Sequence, residues 1–443
     1  MWGMGALARK EKAAGHGYPI LTRGWHDTRM GVIERLRAAL REGAWLDRAR
    51  VRAIAAMLLV AYLAMLARAF RNATQGAGSD FLAFWGAARL TLAGTPERAY
   101  DLAAETAAQA ASGVAGMFAF VNPPPFLLLA APFGALPYAV AWVVWSLAGW
   151  AVWLLVARRA MPEATLAIAA FPGAYLAASH AQNGFLTGAL LIGGVLALRR
   201  SQALSGALLG ALIVKPHLAL FVPLWLAAGR KWTAFAAAAA SALTLCLLSL
   251  AVFGRATWLA YPQSFAVSEA IMRGGEPAFF LRMGTVWSGL RYHLGTEVAL
   301  AGQATVTLAC AALVALAWRR SRDEQATGAL MLAATALGSP YLFSYDLAFL
   351  AMPLFWLARE GRARGFRRYE RAALAALYLA PLAARAAALP LGLNLTPLAA
   401  AALVALVWTR LAPVQAQTAS GGRLIRIASM LPPVLRPNKV PRS

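Results

Sequence analysis

Residues 53–70 read AIAAMLLVAYLAMLARAF, an apolar run long enough to cross a lipid bilayer as an α-helix. The rest of the chain has the same character, because 60% of its 443 residues are hydrophobic and only 14% are charged. Soluble domains are about one quarter charged. A nucleic-acid-binding domain can carry a net charge as high as the +24 of this chain, but it is not this apolar. The composition predicts an all-α polytopic membrane protein that does not bind nucleic acid.

Ten further apolar runs predict the remaining membrane spans. The run at 203–229 is interrupted by Lys215-Pro216-His217, and we interpret it as a hairpin of two short helices. With that hairpin the chain has about twelve transmembrane helices and both of its termini in the cytoplasm. The ten runs lie at 138–157, 161–179, 184–198, 203–229, 232–253, 298–318, 325–338, 345–358, 372–389 and 395–411.

Positive charge is distributed as this topology requires. The predicted cytoplasmic segments, counted with Glu163 and Arg410 at the cytoplasmic ends of their spans, contain 32 of the 42 Lys and Arg residues but only 10 of the 18 Asp and Glu residues. The positive-inside rule therefore explains the high net charge. We divide the chain into a basic cytoplasmic extension at 1–52 without the pattern of a cleavable signal peptide, a transmembrane domain at 53–411 and a basic cytoplasmic tail at 412–443.

The segment at 118–136, FAFVNPPPFLLLAAPFGAL, fits this topology poorly. It is apolar enough to enter the membrane, but a full crossing would make the number of spans odd. Its three prolines favour a re-entrant or interfacial helix, which is stable only when protein covers it. The sequence leaves both alternatives open.

The first predicted external loop, at 71–117, contains a helical pattern and a carboxylate. Ser79 is a plausible N-cap, which would place Asp80 in the first helical turn, where the helix dipole favours negative charge. Asp80 is therefore either a stabiliser of the helix start or a catalytic base. The apolar residues that follow share one face suited to the membrane interface: Phe81, Phe84, Trp85, Ala88 and Leu92.

Other polar residues fall on the same predicted external side. They include His180, His217 and His293, and also Lys215, a positive charge on the side that otherwise avoids one. Lys215 either binds an anionic lipid headgroup or reaches the interface by snorkelling. Histidines and carboxylates on this side could ligate a metal, but no close pair has i, i+4 spacing, so we predict no metal and no cofactor.

Several short motifs occur in an order that resembles glycosyltransferase family 87, over residues 79 to about 360. Two departures stand out: Phe120-Val121-Asn122-Pro123 replaces an aromatic-Tyr-Pro-Pro motif, and Ala181 replaces the glycine of a Gly-Gln-Asn turn. The similar motifs are Ser79-Asp80-Phe81, Ala87-Ala88-Arg89-Leu90, Leu92-Ala93-Gly94, Ala99-Tyr100-Asp101, FVNPPPF at 120–126, APFGALP at 131–137, Ala181-Gln182-Asn183, the block at 206–216 that ends in Lys215-Pro216, Gly338-Ser339-Pro340-Tyr341 and Tyr345-Asp346.

The resemblance implies a GT-C-type fold with a large first external loop. It also implies an inverting transfer of a hexose, mannose in characterised members, from a polyprenyl-phosphate donor. The acceptor would be a hydroxyl of a glycolipid or glycan, and the reaction would take place among membrane lipids at the outer or periplasmic face of the inner or plasma membrane. Asp80 matches the position of the family's catalytic carboxylate.

Chemical roles follow for the remaining polar residues. Inverting transfer needs a base for the acceptor hydroxyl and a cation for the departing phosphate. We predict Asp80 as the base, with Asp101 as the alternative. For the donor phosphate we predict Lys215, supported by His217 or His180. The residues predicted to bind substrate are Asp101, Gln182, Asn183, Tyr341 and Tyr345.

Two other classes of membrane protein are compatible with the topology. Twelve spans and a broken hairpin would suit a secondary transporter, and a lipid-carrier flippase is also possible. The chain shows no internal repeat, and its ionisable residues gather on one side beside a long loop. That asymmetry favours an enzyme that works at the membrane surface.

Overall fold

The computed structural model describes residues 31–274 and 277–411 of the chain. The predicted tail at 412–443 and the first 30 residues of the predicted extension lie outside the described residues. Within the described residues, the α-helices are α1 Val32–Glu42, α2 Arg48–Gln75, α3 Phe81–Leu92, α4 Leu102–Ala110, α5 Pro125–Ala130, α6 Tyr138–Ala157, α7 Thr165–Ala169, α8 Pro172–Ser179, α9 Gly184–Ala197, α10 Gln202–Gly210, α11 Val222–Ala228, α12 Trp232–Ala260, α13 Gln263–Gly274, α14 Pro277–Phe280, α15 Val286–Leu294, α16 Thr296–Arg320, α17 Glu324–Gly338, α18 Ala351–Arg364, α19 Glu370–Leu391 and α20 Thr396–Arg410.

Short 3₁₀ helices connect several of these elements. In the same ranges of the chain they lie at Pro96–Tyr100, Ala131–Ala135, Arg158–Ala160, Pro162–Ala164, Ala211–Val214, Pro216–Ala219 and Ser344–Leu350. The described part of the chain forms no β-strand, apart from an isolated bridge between Met283 and Phe343. The prediction of an all-α architecture is therefore confirmed for these residues.

Five of the described helices are long and apolar enough to cross a membrane, and α6 counts here together with the short 3₁₀ helix that follows it: α2, α6, α12, α16 and α19. Their outer surfaces are apolar and open, since Met57, Val60 and Leu63 of α2 are 70%, 68% and 70% exposed. Such a surface suits a lipid environment. Six further apolar helices are shorter, between 10 and 17 residues. The full set of twelve spans stays a prediction.

Two of the predicted spans are broken helices. The run at 203–229 breaks at Lys215, where φ is −153° and ψ is 71°, and Pro216 begins the next helical piece. This interruption confirms the break that the sequence predicted. The run at 161–179 divides at Phe171-Pro172, because a proline suits the first turn of a helix and disrupts its interior.

The segment at 118–136 does not cross the membrane as one helix. It forms α5, of six residues, and then a 3₁₀ helix of five residues. At about 1.5 to 2 Å per residue these helices are far shorter than the roughly 30 Å hydrocarbon core. Phe126 and Leu127 are fully buried, so protein covers the segment, as a re-entrant segment requires.

Helix α3 is buried in the protein, and the prediction that one of its faces lies in the membrane interface is wrong. Phe81 and Ala88 have no exposed surface, and Phe84 is only 4% exposed. The rings of Phe84 and Phe126 lie 4.7 Å apart, and Phe84 also contacts Trp145 of α6 at 5.8 Å. Residues 81–88, the first two turns of α3, are thus covered by protein, whereas Leu92 in its last turn is 54% exposed. The rings of α3, α5 and α6 form one aromatic cluster.

Several of the loops that were predicted to be cytoplasmic contact one another. Arg359 donates to the carbonyl of Ala160 at 3.2 Å and to Gln325 at 2.7 Å. Lys231 forms an ion pair with Glu324 at 2.7 Å. These contacts link the loops near 160, 231 and 324 with α18, which is the grouping that the charge distribution predicted.

Candidate active site

A cavity of about 320 Å³ lies beside the N-terminal end of α3, where the turn after α8 meets the segment at 341–345. Its floor is apolar and includes Phe84 and Phe343. The polar side chains that line it include Asp80, Asn122, His180, Gln182, Arg282, Tyr341, Tyr345 and Arg385. Asp80 is the single carboxylate among the described lining residues. A small molecule with hydroxyl groups and an anionic group would find matching partners in this cavity.

Asp80 does not cap α3 through its side chain. The helix begins at Phe81, and the Asp80 carboxylate makes no capping hydrogen bond. The prediction that Ser79 is the N-cap is also wrong, because its hydroxyl accepts a hydrogen bond from Trp142 at 3.2 Å and lies 3.4 Å from the Tyr138 hydroxyl. Asp80 still lies at the N-terminus of α3, where the helix dipole favours negative charge, so the structure leaves both interpretations of Asp80 open.

The Asp80 carboxyl has a perturbed pKa. Asp80 keeps some solvent contact through the cavity, yet burial of the carboxyl raises its pKa above the ordinary value. The charge of His180, a hydrogen bond from Gln182 and the charge of Lys215 each act to lower that pKa, while Asp346 raises it. A carboxylate with a raised pKa binds a proton more readily, and neighbouring donors keep its anionic form accessible.

The turn after α8 presents His180 and Gln182 to the cavity. Nδ1 of His180 lies 3.0 Å from the carbonyl oxygen of Leu176, and the imidazole contacts the Tyr345 ring at 5.5 Å. Ala181 adopts a φ of +46°, in the left-handed region that favours glycine. The glycine that the family motif has at this position would relieve that backbone strain.

Lys215 is buried in an ion pair. Its ammonium group donates to Asp346 at 2.5 Å and to the Asn183 side chain at 2.9 Å. Lys215 is 7% exposed and Asp346 is fully buried, so the snorkelling interpretation is wrong. Asp346 also accepts a hydrogen bond from the backbone N–H of Phe343 at 3.1 Å. Sequence reasoning noticed Asp346 as part of a motif but did not pair it with Lys215.

The remaining predicted residues lie at different distances from the cavity. Tyr341 and Tyr345 line it, and Tyr341 also packs edge-on against His217 at 5.1 Å between ring centroids. His217 and Asn183 are not among the lining residues. Asp101 is exposed and caps α4 by accepting a hydrogen bond from the N–H of Ala104 at 2.9 Å, so the structure gives it a helix-capping role.

His293 is not among the residues that line the cavity. It is exposed in the last turn of α15 and packs against the neighbouring Tyr292 ring. Among the described residues, no group of three or more His, Cys, Asp and Glu side chains is placed to hold a metal ion.

Five polar lining residues were not among the predicted site residues: Asn122, Ser268, Arg282, Ser344 and Arg385. Asn122 donates to the carbonyl of Val214 at 3.3 Å, which ties the proline-rich segment to the break before Lys215. Arg385 had a recognisable signal, since it is a positive charge inside the apolar run at 372–389, like Lys215 in its own run. Arg282 lies outside every predicted span, on the side that otherwise has few positive charges.

Comparison with known proteins connects the chain to a family of enzymes. The sequence model of glycosyltransferase family 87 matches residues 120–353, which are 234 of the 443 residues and thus slightly more than half of the chain. The matched range includes the turn at 180–183, Lys215 and the segment at 339–346, whereas Asp80 precedes it. Neither a search of curated proteins nor a search of solved structures returned a match.

Proposed function

The chain belongs to glycosyltransferase family 87 and is a membrane glycosyltransferase, and from that membership we propose a specific reaction. The enzyme transfers a hexose, which we propose to be mannose, from a polyprenyl-phosphate sugar to a hydroxyl of a lipid or glycan acceptor. The transfer inverts the anomeric configuration and takes place at the outer face of the cell membrane. The position of Asp80 in the cavity is the observation on which this proposal depends.

The reaction is a single displacement at the anomeric carbon. Asp80 removes the proton of the acceptor hydroxyl while that oxygen attacks the sugar, and the bond between the anomeric carbon and the phosphate oxygen breaks. The bonding electrons leave with the phosphate, which departs as an anion and needs no general acid. Gln182 holds the Asp80 carboxylate through its hydrogen bond. The transition state resembles an oxocarbenium ion, which the negative charge of Asp80 also stabilises.

The polar wall of the cavity suits a sugar. Gln182, Tyr341 and Tyr345 offer hydrogen-bonding groups, and the tyrosine rings offer flat apolar surfaces for the sugar faces. Asn183 supports this wall indirectly by accepting a hydrogen bond from Lys215. His180 lines the cavity and is a candidate donor to the phosphate, whereas Lys215 and His217 do not line it and Lys215 already donates to Asp346 and Asn183.

Substitution of Asp80 tests the proposal. The purified protein is reconstituted in liposomes with a radiolabelled polyprenyl-phosphate sugar and a lipid acceptor extract. We expect Asp80→Asn to lower transfer by about 10²- to 10⁴-fold, because that is the usual contribution of a positioned base. Asp101→Asn is the matched control and should leave transfer near the wild-type rate.

Two outcomes would contradict the proposal. Wild-type turnover in Asp80→Asn would remove Asp80 from the chemistry. Transfer from a nucleotide sugar but not from the polyprenyl-phosphate sugar would refute the donor. A labelled lipid carrier that crosses the bilayer equally fast in the wild-type and Asp80→Asn proteins, without sugar transfer, would instead favour the flippase alternative.

A further inference from the structure

Two arginines line the cavity, and no described acidic residue pairs with either of them. Arg282 and Arg385 both contribute to the cavity wall, close enough for their charges to repel each other. Within the described residues, neither guanidinium group forms an ion pair or a hydrogen bond. Lys215, in contrast, already has Asp346 as its counter-ion. Among the described residues, the cationic groups of this cavity wall that lack an acidic partner are therefore the two arginines.

Two other arginines, Arg89 and Arg291, stack on aromatic rings instead. The Arg291 guanidinium lies over the Phe280 ring at 5.7 Å, and Arg89 lies over Trp85 at 5.0 Å. Neither of these arginines lines the cavity. An arginine pair that faces a common space is thus a distinct feature of this wall. Arg282 is exposed and Arg385 is half-buried, so both charges are open to an anion that enters the cavity.

The structure holds Arg282 in place through the backbone beside it. Arg282 lies in the turn between α14 and α15, and its neighbour Met283 forms an antiparallel bridge with Phe343. The N–H of Gly284 donates to the carbonyl of Leu342 at 2.7 Å. The turn is therefore fixed against the segment that also presents Tyr341 and Tyr345.

The loop after α19, the helix that carries Arg385, is fixed to the same turn by Asn394. Asn394 donates from its side-chain amide to the carbonyl of Met283 at 2.7 Å and to that of Thr285 at 3.2 Å. Arg385 lies on α19, six residues before that helix ends at Leu391. The backbone turn that carries Arg282 is thus hydrogen-bonded to the loop that follows the helix of Arg385, which brings the two arginine-bearing segments together at one wall of the cavity.

We propose that Arg282 and Arg385 bind the phosphate of the lipid donor. This inference rests on the proposed function and deepens it. A guanidinium group matches a phosphate with two parallel hydrogen bonds, and two such groups can hold both non-bridging oxygens of the donor and also the third terminal oxygen that bond breaking creates. Lys215 then acts as a positioning residue, which orders Asn183 and Asp346 behind the cavity wall.

The arginine pair also favours bond breaking. In the donor, the phosphate is a diester with one negative charge. When the bond to the anomeric carbon breaks, the electron pair stays on the phosphate oxygen, so the phosphate becomes a monoester with up to two negative charges. Two fixed cations interact more strongly with the second state than with the first, and that difference lowers the barrier.

A lipid-binding experiment tests the assignment. The full-length protein is placed in phosphatidylcholine nanodiscs, and binding of undecaprenyl phosphate is compared with binding of undecaprenol, which lacks the phosphate. We expect the wild type to prefer the phosphate lipid by at least about tenfold. Arg282→Gln and Arg385→Gln should each lose at least about fivefold of that affinity, and Arg291→Gln should not differ from the wild type.

Lysine variants keep the test valid if the glutamine variants fail to fold. Arg282→Lys and Arg385→Lys retain the charge but lose the paired hydrogen bonds, so their affinity should fall by a smaller factor. Wild-type affinity in the folded Gln variants would overturn the proposal, and so would equal affinity of the wild type for undecaprenol and its phosphate.

Competition identifies the source of the phosphate. Inorganic phosphate and phosphatidylglycerol should each displace undecaprenyl phosphate poorly; displacement by phosphatidylglycerol at an equal mole fraction would overturn the donor assignment in favour of a general headgroup site. Sugar transfer is measured on the same samples. Arginine-dependent binding without any transfer would refute the proposed function alone, whereas normal transfer with arginine-independent binding would refute this inference alone.

Discussion

The hydrogen bond between Gln182 and Asp80 makes a quantitative prediction about the pH dependence of transfer. Asp80 works as a base only when it is ionised, so activity must rise with pH through its pKa. Burial raises that pKa, and the Gln182 hydrogen bond lowers it again because the bond favours the charged form. Methionine has a similar length but no hydrogen-bond donor. Replacing Gln182 by methionine therefore removes one of the interactions that lower the pKa of Asp80, and that pKa should rise.

The size of the expected shift follows from the energy of one hydrogen bond to a charged group. Such a bond contributes about 1.5 to 3 kcal/mol. One pKa unit corresponds to about 1.4 kcal/mol. The acid limb of the kcat/KM profile should therefore move up by about one to two pH units in Gln182→Met. Above the new pKa, kcat/KM of the variant should reach a plateau, since its base is then ionised, and this plateau should lie below that of the wild type because the sugar has lost the Gln182 amide.

The assay is the initial rate of sugar transfer in liposomes, measured at limiting donor concentration from about pH 4 to pH 9. Gln202→Leu, at the first residue of α10 and outside the cavity lining, is the matched control and should leave the profile unchanged. An acid limb that stays at the wild-type pH in Gln182→Met would show that the titrating group is not Asp80.

Two further predictions concern stability. Lys215→Met should destabilise the protein by about 3 to 5 kcal/mol in thermal unfolding, because it leaves a buried Asp346 without a partner, and Asp346→Leu in the same chain should restore most of that loss. Equal stability of the single and double variants would contradict a buried pair. Glu105 is almost fully buried, and burial raises the pKa of its carboxyl well above the ordinary value. In the unfolded chain this carboxyl ionises at about pH 4.3, whereas the folded protein retains the proton, so native stability falls as the pH rises from about 4.3 towards the folded pKa. Glu105→Gln should therefore raise the melting temperature at pH 7 but hardly at pH 4, and an equal effect at both pH values would refute the protonated state.

The helices were predictable from the sequence because the physics that forms them is local. An apolar run in lipid must satisfy its own backbone hydrogen bonds, so the run itself predicts a helix. The break at Lys215-Pro216 was equally visible, since proline disrupts a helix interior. Residues 180, 182, 341 and 345 were grouped with Asp80 because the predicted topology placed them on one side of the membrane, and all five line one cavity.

Packing between distant segments was not predictable in the same way. The apolar face of α3 would suit a membrane surface as well as a protein interior. Its burial becomes evident only from its contacts with the aromatic rings of α5 and α6. The partner of Lys215 lies 131 residues away along the chain. Nothing in the sequence near Lys215 reports the position of Asp346. Arg282 was missed for the same reason, because its place in the cavity depends on a bridge between Met283 and Phe343.

The ion pair between Lys215 and Asp346 has a consequence for how the protein is made. A ribosome adds about 5 to 20 residues per second, so it completes residue 346 roughly 7 to 26 seconds after residue 215. During that interval the lysine has no counter-ion, and its charge opposes its burial in the apolar interior. The segment around Lys215 must therefore stay hydrated, or held by the insertion machinery, until the last third of the chain arrives. Assembly of this enzyme is consequently ordered in time, since the segment around Lys215 reaches its buried state only after residue 346 has been made.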